Sequence, residues 1–345
     1  SFYTFKTMSY TLDVYWGRLP ACRSWLDYAL YVSFFPDLIA GPIVRASSFL
    51  PQLAGNPGPS RQRLIEGGNL FLQGLTKKLL VADRLGEQIR PVFECPEVFS
   101  SGSMWLAVLA YAGQIYCDFS GYSDMATGTA HMLGYHLPLN FNLPYVSRDV
   151  SEFWRRWHIP LSQWLRDYLY IPLGGDGRAG GNAYRSLVIT MLLGGLWHGA
   201  AWTFVLWGGL HGLALCLHRL WRRSGRRLPS APAWLLTFGF VVLAWVPFRC
   251  DGREMMMTSY QRLLGWNGTQ GQQIDPHWTA ICLGLILAGH ALNLSLPRLR
   301  NWRGLSWLGL SVVELPLAWS YLCFTQLTFL SGFLLTLWSG PLFLF

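Results

Sequence analysis

Long stretches without a charged residue dominate the hydrophobic pattern of this chain of 345 residues. About 20 consecutive apolar residues are enough for a helix to cross the hydrocarbon core of a bilayer. Residues 304–345 carry one formal charge, at Glu314, and have room for a hairpin of two spans. The pattern therefore predicts an all-α, polytopic integral membrane protein. The stretches without Asp, Glu, Lys or Arg are residues 98–117, 186–218, 233–248 and 278–297.

The stretch 186–218 is too long for one simple span. As a straight helix it would reach about 50 Å, whereas the hydrocarbon core of a bilayer is about 30 Å thick. We therefore expect it to tilt steeply, to re-enter or to break, and the glycine pairs Gly194-Gly195 and Gly208-Gly209 are the predicted break points.

Two other apolar regions are interrupted by helix-breaking residues. Residues 118–171 are dense in Pro, Gly, Asn and His, and the segment Phe35–Arg45 has Pro and Gly between two charges. Non-helical backbone at membrane depth persists only where protein buries it or water reaches it. We expect the first region to line a cavity and the second to form a re-entrant or kinked element.

The composition supports this interpretation and points to one domain over residues 1–345. Hydrophobic residues make up 52% of the chain and charged residues only 13%, about half of the roughly 25% that is usual in soluble domains. The stretches rich in Pro and Gly do not separate two self-sufficient cores. The seven cysteines show neither paired nor metal-ligand spacing, so we expect no disulfide framework and no metal site.

The net charge of +9 comes almost entirely from arginine. Basic clusters occupy residues 219–227 and 298–303, and two predicted spans lie between them, so both clusters fall on one side of the membrane. The intervening residues 249–277 are nearly neutral. The positive-inside rule makes the clusters cytoplasmic and the intervening loop external. Basic residues that flank apolar spans indicate contact with lipid headgroups, not nucleic acid.

His198 lies near the middle of the longest uncharged stretch. An ionisable residue at this depth indicates a functional site, and histidine can accept a proton near neutral pH. Gly195 and Gly199 leave one helix face bare, so another backbone can approach there. A packing histidine that is hydrogen-bonded across helices is the alternative on spacing alone. We favour that alternative for His211, which follows in a similar glycine-rich setting.

Residues 151–168 predict an amphipathic helix that Ser151 caps and that Pro160 bends or restarts. Aromatic and leucine side chains recur on one face, and Arg155, His158 and Arg166 lie on the other. Trp and Arg in one amphipathic helix are typical of a segment at the membrane interface. Alternatively, the arginines hold an anionic donor and His158 faces the cavity, since phosphate suits the guanidinium fork.

Asp118 and Asp124 directly follow an apolar stretch of residues. Left unpaired there, both carboxylates would be costly. We expect them to pair with arginines or backbone amides, or else to orient a histidine.

These motifs together resemble the bacterial membrane-bound O-acyltransferases, in particular their alginate and cellulose O-acetylation branch. The resemblance covers essentially the whole chain, and it implies that several N-terminal helices of the family are absent from it. The motifs that carry it are Asp118–Asp124, Asn140–Asn142, Phe153–His158, Leu165–Tyr168, Ile171–Gly175 and Gly195–Gly199.

The resemblance implies a ring of tilted and re-entrant helices around a central tunnel in the bacterial inner membrane. It implies acetyl-CoA as donor substrate, no bound cofactor, and a periplasmic acetyltransferase as partner in modifying an exported polysaccharide. His198 matches the near-invariant histidine of the family, and His158 matches its second motif histidine. The residues that we expect to contact donor or acceptor are Arg155, Arg156, Trp157, Arg166, Tyr168, Asp118, Asp124, Asn142 and Trp197.

Other functions stay open at this point. Within the family, the alternatives are D-alanyl transfer to teichoic acid and O-acylation of peptidoglycan. Outside it, broken helices and buried ionisable residues also fit a transporter or a non-catalytic scaffold.

Overall fold

The computed structural model describes residues 2–38, 40–55, 57–175, 182–266 and 268–299. Apart from one isolated bridge between Phe99 and Gln272, every regular element in these ranges is a helix, which confirms the all-α class there. The helices are α1 Phe2–Tyr15, α2 Trp25–Ser33, α3 Ala46–Ala54, α4 Arg61–Thr76, α5 Asp83–Glu94, α6 Ser101–Met132, α7 Val150–Arg156, α8 Ile159–Leu165, α9 Ala183–His198, α10 Trp202–Arg223, α11 Ser230–Arg249, α12 Arg253–Leu264 and α13 Pro276–Leu299.

Helix α6 is the long central element, and it passes without a break through the region that we expected to be interrupted. Ser100 caps its start, with Oγ accepting from the backbone N–H of Ser103 at 3.1 Å. The expectation of broken backbone is therefore wrong for residues 118–132. The helix can continue past its two carboxylates because lysines that follow α4 neutralise them, with Lys78 2.6 Å from Asp118.

Glycines allow α4 and α6 to lie against each other at backbone distance. A Cβ on Gly121 would lie 2.6 Å from the carbonyl oxygen of Gly74, and one on Gly128 would lie 2.5 Å from that of Gly67. Gly67 and Gly74 on α4 are seven residues apart, and so are Gly121 and Gly128 on α6. The two glycines of each helix therefore lie on the same side of it. A six-residue π-helical segment, Lys77–Ala82, links α4 to α5 and carries the two lysines.

Helices α9 and α10 form a hairpin, so the stretch 186–218 does break, but not where we predicted. The break is at residues 199–201, immediately after His198. The predicted break points lie inside the helices, and Gly195 and Gly208 are where the two backbones cross. A Cβ on Gly195 would lie 3.2 Å from the Cα of Gly208, with the carbonyl of Phe204 closer still. The predicted close approach of another backbone at Gly195 is confirmed.

The segment 151–168 is two helices and not one amphipathic helix. Helix α7 ends at Arg156, Trp157 is extended, and His158 adopts the left-handed conformation with φ 43° and ψ 55°. Pro160 then lies in the first turn of α8, as predicted for a restart. The cap of α7 is not Ser151 but Asp149, whose carboxylate accepts from the backbone N–H of Glu152 at 2.7 Å.

Helices α11 and α13 coincide with the predicted spans 233–248 and 278–297. Of all helices in the described ranges, Ser230–Arg249 is the one that has both the length and the apolar composition to cross a membrane. The predicted external loop 249–277 is not only loop, because α12 occupies its middle. The hairpin that we expect in residues 304–345 lies outside the described residues.

The region around Phe35–Arg45 contains the 3-10 turn Phe35–Asp37, in agreement with the predicted interruption. The carboxylate of Asp37 is buried and accepts a hydrogen bond from the ammonium of Lys6 on α1, with Nζ 2.9 Å from Oδ2. Arg45 instead reaches Asp167 at 2.6 Å, which ties this region to the residues that follow α8.

Candidate active site

His198 is the last residue of α9 and is partly exposed within the described part of the chain. Aromatic rings surround its imidazole: the centroid of Phe248 lies at 4.9 Å and that of Trp207 at 5.2 Å, both edge-on. The neighbouring Trp197 lies at 4.7 Å. The ring is therefore held at a helix end by packing, while part of its surface stays accessible.

His158 is buried, with 2% of its surface exposed, in the left-handed junction between α7 and α8. Its Nδ1 lies 2.8 Å from Oδ1 of Asn140, and the ring of Phe119 packs edge-on at 4.8 Å. We expected His158 to face the cavity. The helix break at residues 157–158 instead turns it into the interior.

The two histidines approach each other from different elements. A cluster of indole rings lies beside both: Trp207, which contacts His198, stacks on Trp245 at 5.9 Å, and Trp245 contacts Trp157 at 5.0 Å. Fold and packing thus bring together two proton-accepting side chains that are 40 positions apart in the chain, at 158 and 198.

His211 has the packing role that we favoured for it. It is fully buried, and its Nδ1 accepts a hydrogen bond from Nε1 of Trp154 at 3.2 Å. The same Trp154 ring lies 5.8 Å from Trp207. Trp154 is also one of the residues that line the cavity described next, so it connects the histidines with that cavity.

A cavity of about 800 Å³ opens beside this cluster, between α7, α8, α9 and α10. Apolar side chains of α9 form one side of it. Its basic side chains are Arg155, Arg166, His218, Arg219, Arg222 and Arg223. Arg219, Arg222 and Arg223 have the spacing of one helix face at the end of α10, so their charges converge on one end of the cavity.

Two residues of the cavity wall, Ile159 and Trp154, connect the cavity with the two histidines. Ile159, which follows His158, forms part of the wall, and so does Trp154. From Trp154 one further indole, Trp207, leads to His198. The cavity wall thus carries five arginines and one indole, Trp154, that leads toward His198.

Of the residues that we expected to contact substrate, Arg155 and Arg166 are on the cavity wall and Trp197 is beside His198. Arg156 is not on the wall, because it forms an ion pair with Glu152 at 3.0 Å. Trp157 is a buried core residue, stacked on Phe153 at 5.5 Å.

The other expected contacts are engaged elsewhere. The hydroxyl of Tyr168 donates to Asp13 at 2.7 Å, far along the chain from the arginines. Asn142 is exposed, and its backbone carbonyl accepts from Arg156. Asp118 and Asp124 pair with lysines and not with the expected arginines or backbone amides, since Lys77 is 2.5 Å from Asp124 and Lys78 is 2.6 Å from Asp118.

Sequence reasoning missed two groups at this site. Arg219, Arg222 and Arg223 were interpreted only as a topology signal, although their spacing already placed them on one helix face. Asn140 was passed over in favour of Asn142. No local pattern connects Asn140 with His158, because their contact depends on how the segment around residue 140 folds back on the α7–α8 junction.

The sequence profile of the membrane-bound O-acyltransferase family matches residues 21–251, and this chain belongs to that family.

Curated relatives agree with this assignment. The chain is 42% identical over 276 residues to a probable alginate O-acetylase of Pseudomonas aeruginosa, an alignment that covers 80% of this chain and 53% of the relative. It is 44% identical over 249 residues to the peptidoglycan O-acetyltransferase of Helicobacter pylori, covering 70% and 47%. Identity to the teichoic acid D-alanyltransferase of Streptococcus thermophilus is 26% over 244 residues, covering 66% and 58%. The chain thus spans about half the length of the O-acetylating relatives that it matches.

Proposed function

We propose that this chain carries the acyl-transfer core of a multi-pass O-acetyltransferase of the bacterial inner membrane. It moves an acetyl group from cytoplasmic acetyl-CoA toward a hydroxyl of an exported polysaccharide such as alginate or cellulose. The observation that carries the proposal is the cavity whose wall holds five arginines and whose Trp154 leads through Trp207 to His198.

The charged end suits a donor that bears phosphate groups. Guanidinium groups bind phosphate oxygens through two parallel N–H donors, and they keep their charge at any physiological pH. The arginines at the end of α10 also belong to the cluster that the positive-inside rule assigns to the cytoplasm, where acetyl-CoA is found. A cavity of about 800 Å³ is of a size typical for cofactor and substrate sites.

The side of the cavity that Trp154 forms suits the thioester and the attacking hydroxyl. In the proposed step, a ring nitrogen of His198 takes the hydroxyl proton as the oxygen bonds to the acetyl carbonyl carbon. The carbon–sulfur bond then breaks, and the imidazolium returns the proton to the thiolate, which leaves as free CoA. General base catalysis of this kind contributes about 10²–10⁴-fold to a rate.

The proposed acceptor side follows from the relatives. Two of them are named for O-acetylation of alginate or peptidoglycan, both of which are polymers outside the cytoplasm. A central tunnel between donor and acceptor sides, and transfer through a periplasmic acetyltransferase partner, are part of the proposal. D-alanyl transfer is the second candidate, and the lower identity of 26% to the D-alanyltransferase makes it the weaker one.

The test uses the full-length protein in lipid nanodiscs with labelled acetyl-CoA and a soluble oligosaccharide of alginate or cellulose as hydroxyl acceptor, and it measures release of free CoA. His198→Gln keeps volume and polarity but removes the strong base, so we expect a loss of about 10²–10⁴-fold with the protein still folded. His277→Gln changes an exposed histidine on α13 and is the matched control.

Two results would contradict the proposal. A wild-type protein that binds acetyl-CoA without releasing CoA would indicate a transporter or scaffold. A His198→Gln protein with the wild-type rate would remove that residue from the mechanism. Faster turnover with a D-alanyl thioester than with acetyl-CoA would favour the second candidate.

A further inference from the structure

Three hydrogen bonds in series lead from a backbone carbonyl of α6 to the imidazole of His158. The hydroxyl of Ser123 donates to the carbonyl of Phe119 at 2.9 Å. The amide Nδ2 of Asn140 donates to Oγ of Ser123 at 2.7 Å. Oδ1 of the same amide lies 2.8 Å from Nδ1 of His158.

The direction of every bond in this series is determined by its first member. A carbonyl oxygen can only accept, so Ser123 uses its single proton on Phe119 and can only accept from Asn140. The amide of Asn140 must therefore turn its NH₂ group toward Ser123 and its oxygen toward His158. Because this oxygen can only accept, Nδ1 of His158 carries the proton.

The backbone of Asn140 holds the same histidine in place. Its carbonyl accepts from the N–H of Ile159 at 2.9 Å, directly after the left-handed residue His158. A non-glycine residue in this conformation costs about 1–3 kcal/mol and persists only where the surroundings impose it. Asn140 and His158 are each 2% exposed, so water does not compete for these bonds.

We propose that Asn140 is the positioning residue of His158. It holds the neutral imidazole in the Nδ1–H tautomer, so that the lone pair of the ring lies on Nε2. His158 then takes part as a hydrogen-bond acceptor, and not as an N–H donor to the thioester carbonyl. This inference rests on the proposed function, in which His158 assists His198.

The tautomer of His158 can be measured without an activity assay. Nitrogen NMR of the protein with ¹⁵N-labelled histidine distinguishes protonated from unprotonated ring nitrogens, and the signals of His158 are those that a His158→Asn variant lacks. Asparagine tolerates the left-handed conformation, so this variant leaves the junction unchanged. His211 is the internal reference, because its Nδ1 accepts from Trp154 and its proton is therefore on Nε2.

We expect His158 to show a protonated Nδ1 and an unprotonated Nε2, opposite to His211. A protonated Nε2 on neutral His158 in the wild-type protein would overturn the inference, and His198-dependent release of CoA would remain unaffected. A wild-type rate in the His158→Asn variant would also overturn it, because the positioned ring would then have no role in transfer.

Variants of the hydrogen-bond series separate positioning from simple packing. Asn140→Leu keeps the volume but removes the acceptor, and we expect kcat to fall by at least about tenfold with an unchanged KM for acetyl-CoA. In a serine protease triad the wrong histidine tautomer costs about 10⁴-fold. Asn140→Asp keeps an acceptor for Nδ1, so it should recover most of the loss.

Ser123→Ala completes the test. Without Ser123 the amide of Asn140 can turn over, so we expect kcat to fall. In the Asn140→Asp background, Ser123→Ala should lower kcat only a little. Both oxygens of a carboxylate accept hydrogen bonds equally, so the side chain presents an acceptor to Nδ1 of His158 whichever way it turns. Equal losses from Ser123→Ala in the two backgrounds, or no rescue by Asn140→Asp, would show that the series supports packing only and would overturn the inference.

Discussion

At the scale of single residues, the chain pairs its buried or half-buried lysines with carboxylates. Lys6, Lys77 and Lys78 are its only lysines, and each one contacts an aspartate. The pair between Lys6 and Asp37 is the most deeply buried, with side-chain exposures of 2% and 0%. A charge left without its partner in such a place has no water to solvate it.

Asp37→Asn tests this pair. Removing one partner of a buried ion pair costs about 3–5 kcal/mol, so we expect a clear fall in thermal stability of the detergent-solubilised protein. Replacing both partners, as in Lys6→Met with Asp37→Leu, should restore much of the loss because no lone charge stays buried. The control is Glu87→Gln, which removes an exposed partner of Arg84 and should change stability by less than about 1 kcal/mol. Equal effects of Asp37→Asn and Glu87→Gln would contradict the buried pairing.

At the scale of elements, glycines decide how close the helices approach and therefore where the histidines lie. The α9–α10 hairpin crosses at Gly195 and Gly208, and His198 follows within one turn of the crossing. The adjacent Gly209 is different, because a Cβ there would meet only Cδ2 of Leu192 at an ordinary 3.5 Å. Helix α10 thus has two consecutive glycines, Gly208 where an added Cβ would clash and Gly209 where it has room.

Gly208→Ala and Gly209→Ala form a matched pair of variants. The first places a methyl group against the carbonyl of Met191, so we expect about 1–3 kcal/mol of destabilisation and reduced CoA release. The second should be neutral or slightly stabilising, since alanine is the better helix former by about 1 kcal/mol. Thermal unfolding and CoA release of both variants check this. A Gly208→Ala protein as stable as Gly209→Ala would show that the backbones do not cross there.

At the scale of the whole molecule, the basic cavity is enclosed by four consecutive helices, α7 to α10. Its arginines come from α7, α10 and the segment that follows α8. Arg219 is oriented by a hydrogen bond to the hydroxyl of Tyr170 at 2.9 Å, and Arg223 lies over the ring of Tyr184 at 5.3 Å. These contacts organise the charged end before any donor arrives.

Arg222→Gln should raise the KM for acetyl-CoA by about tenfold or more, since hydrogen bonds to charged groups contribute about 1.5–3 kcal/mol. A short acetyl thioester without nucleotide phosphates should lose far less. Arg226→Gln is the control, because that arginine belongs to the same basic cluster but not to the cavity wall. Steady-state kinetics with both donors checks the prediction. The same rise in KM for both donors, or for both variants, would contradict phosphate binding here.

The sequence by itself determined the class of elements and the resemblance to the family. Long uncharged apolar stretches form helices because, in an apolar environment, the backbone N–H and C=O groups must form hydrogen bonds within their own segment. The motifs around His158 and His198 carried the resemblance to the family that the profile confirmed.

Only the tertiary structure decided where the helices end and which side chains meet. The hairpin turns after His198, not at its glycine pairs, because those glycines are needed for backbone contact between α9 and α10. In the same way, Asn140 and not Asn142 reaches His158, and lysines instead of arginines meet Asp118 and Asp124. Such contacts depend on three-dimensional packing between distant segments, which no local spacing along the chain records.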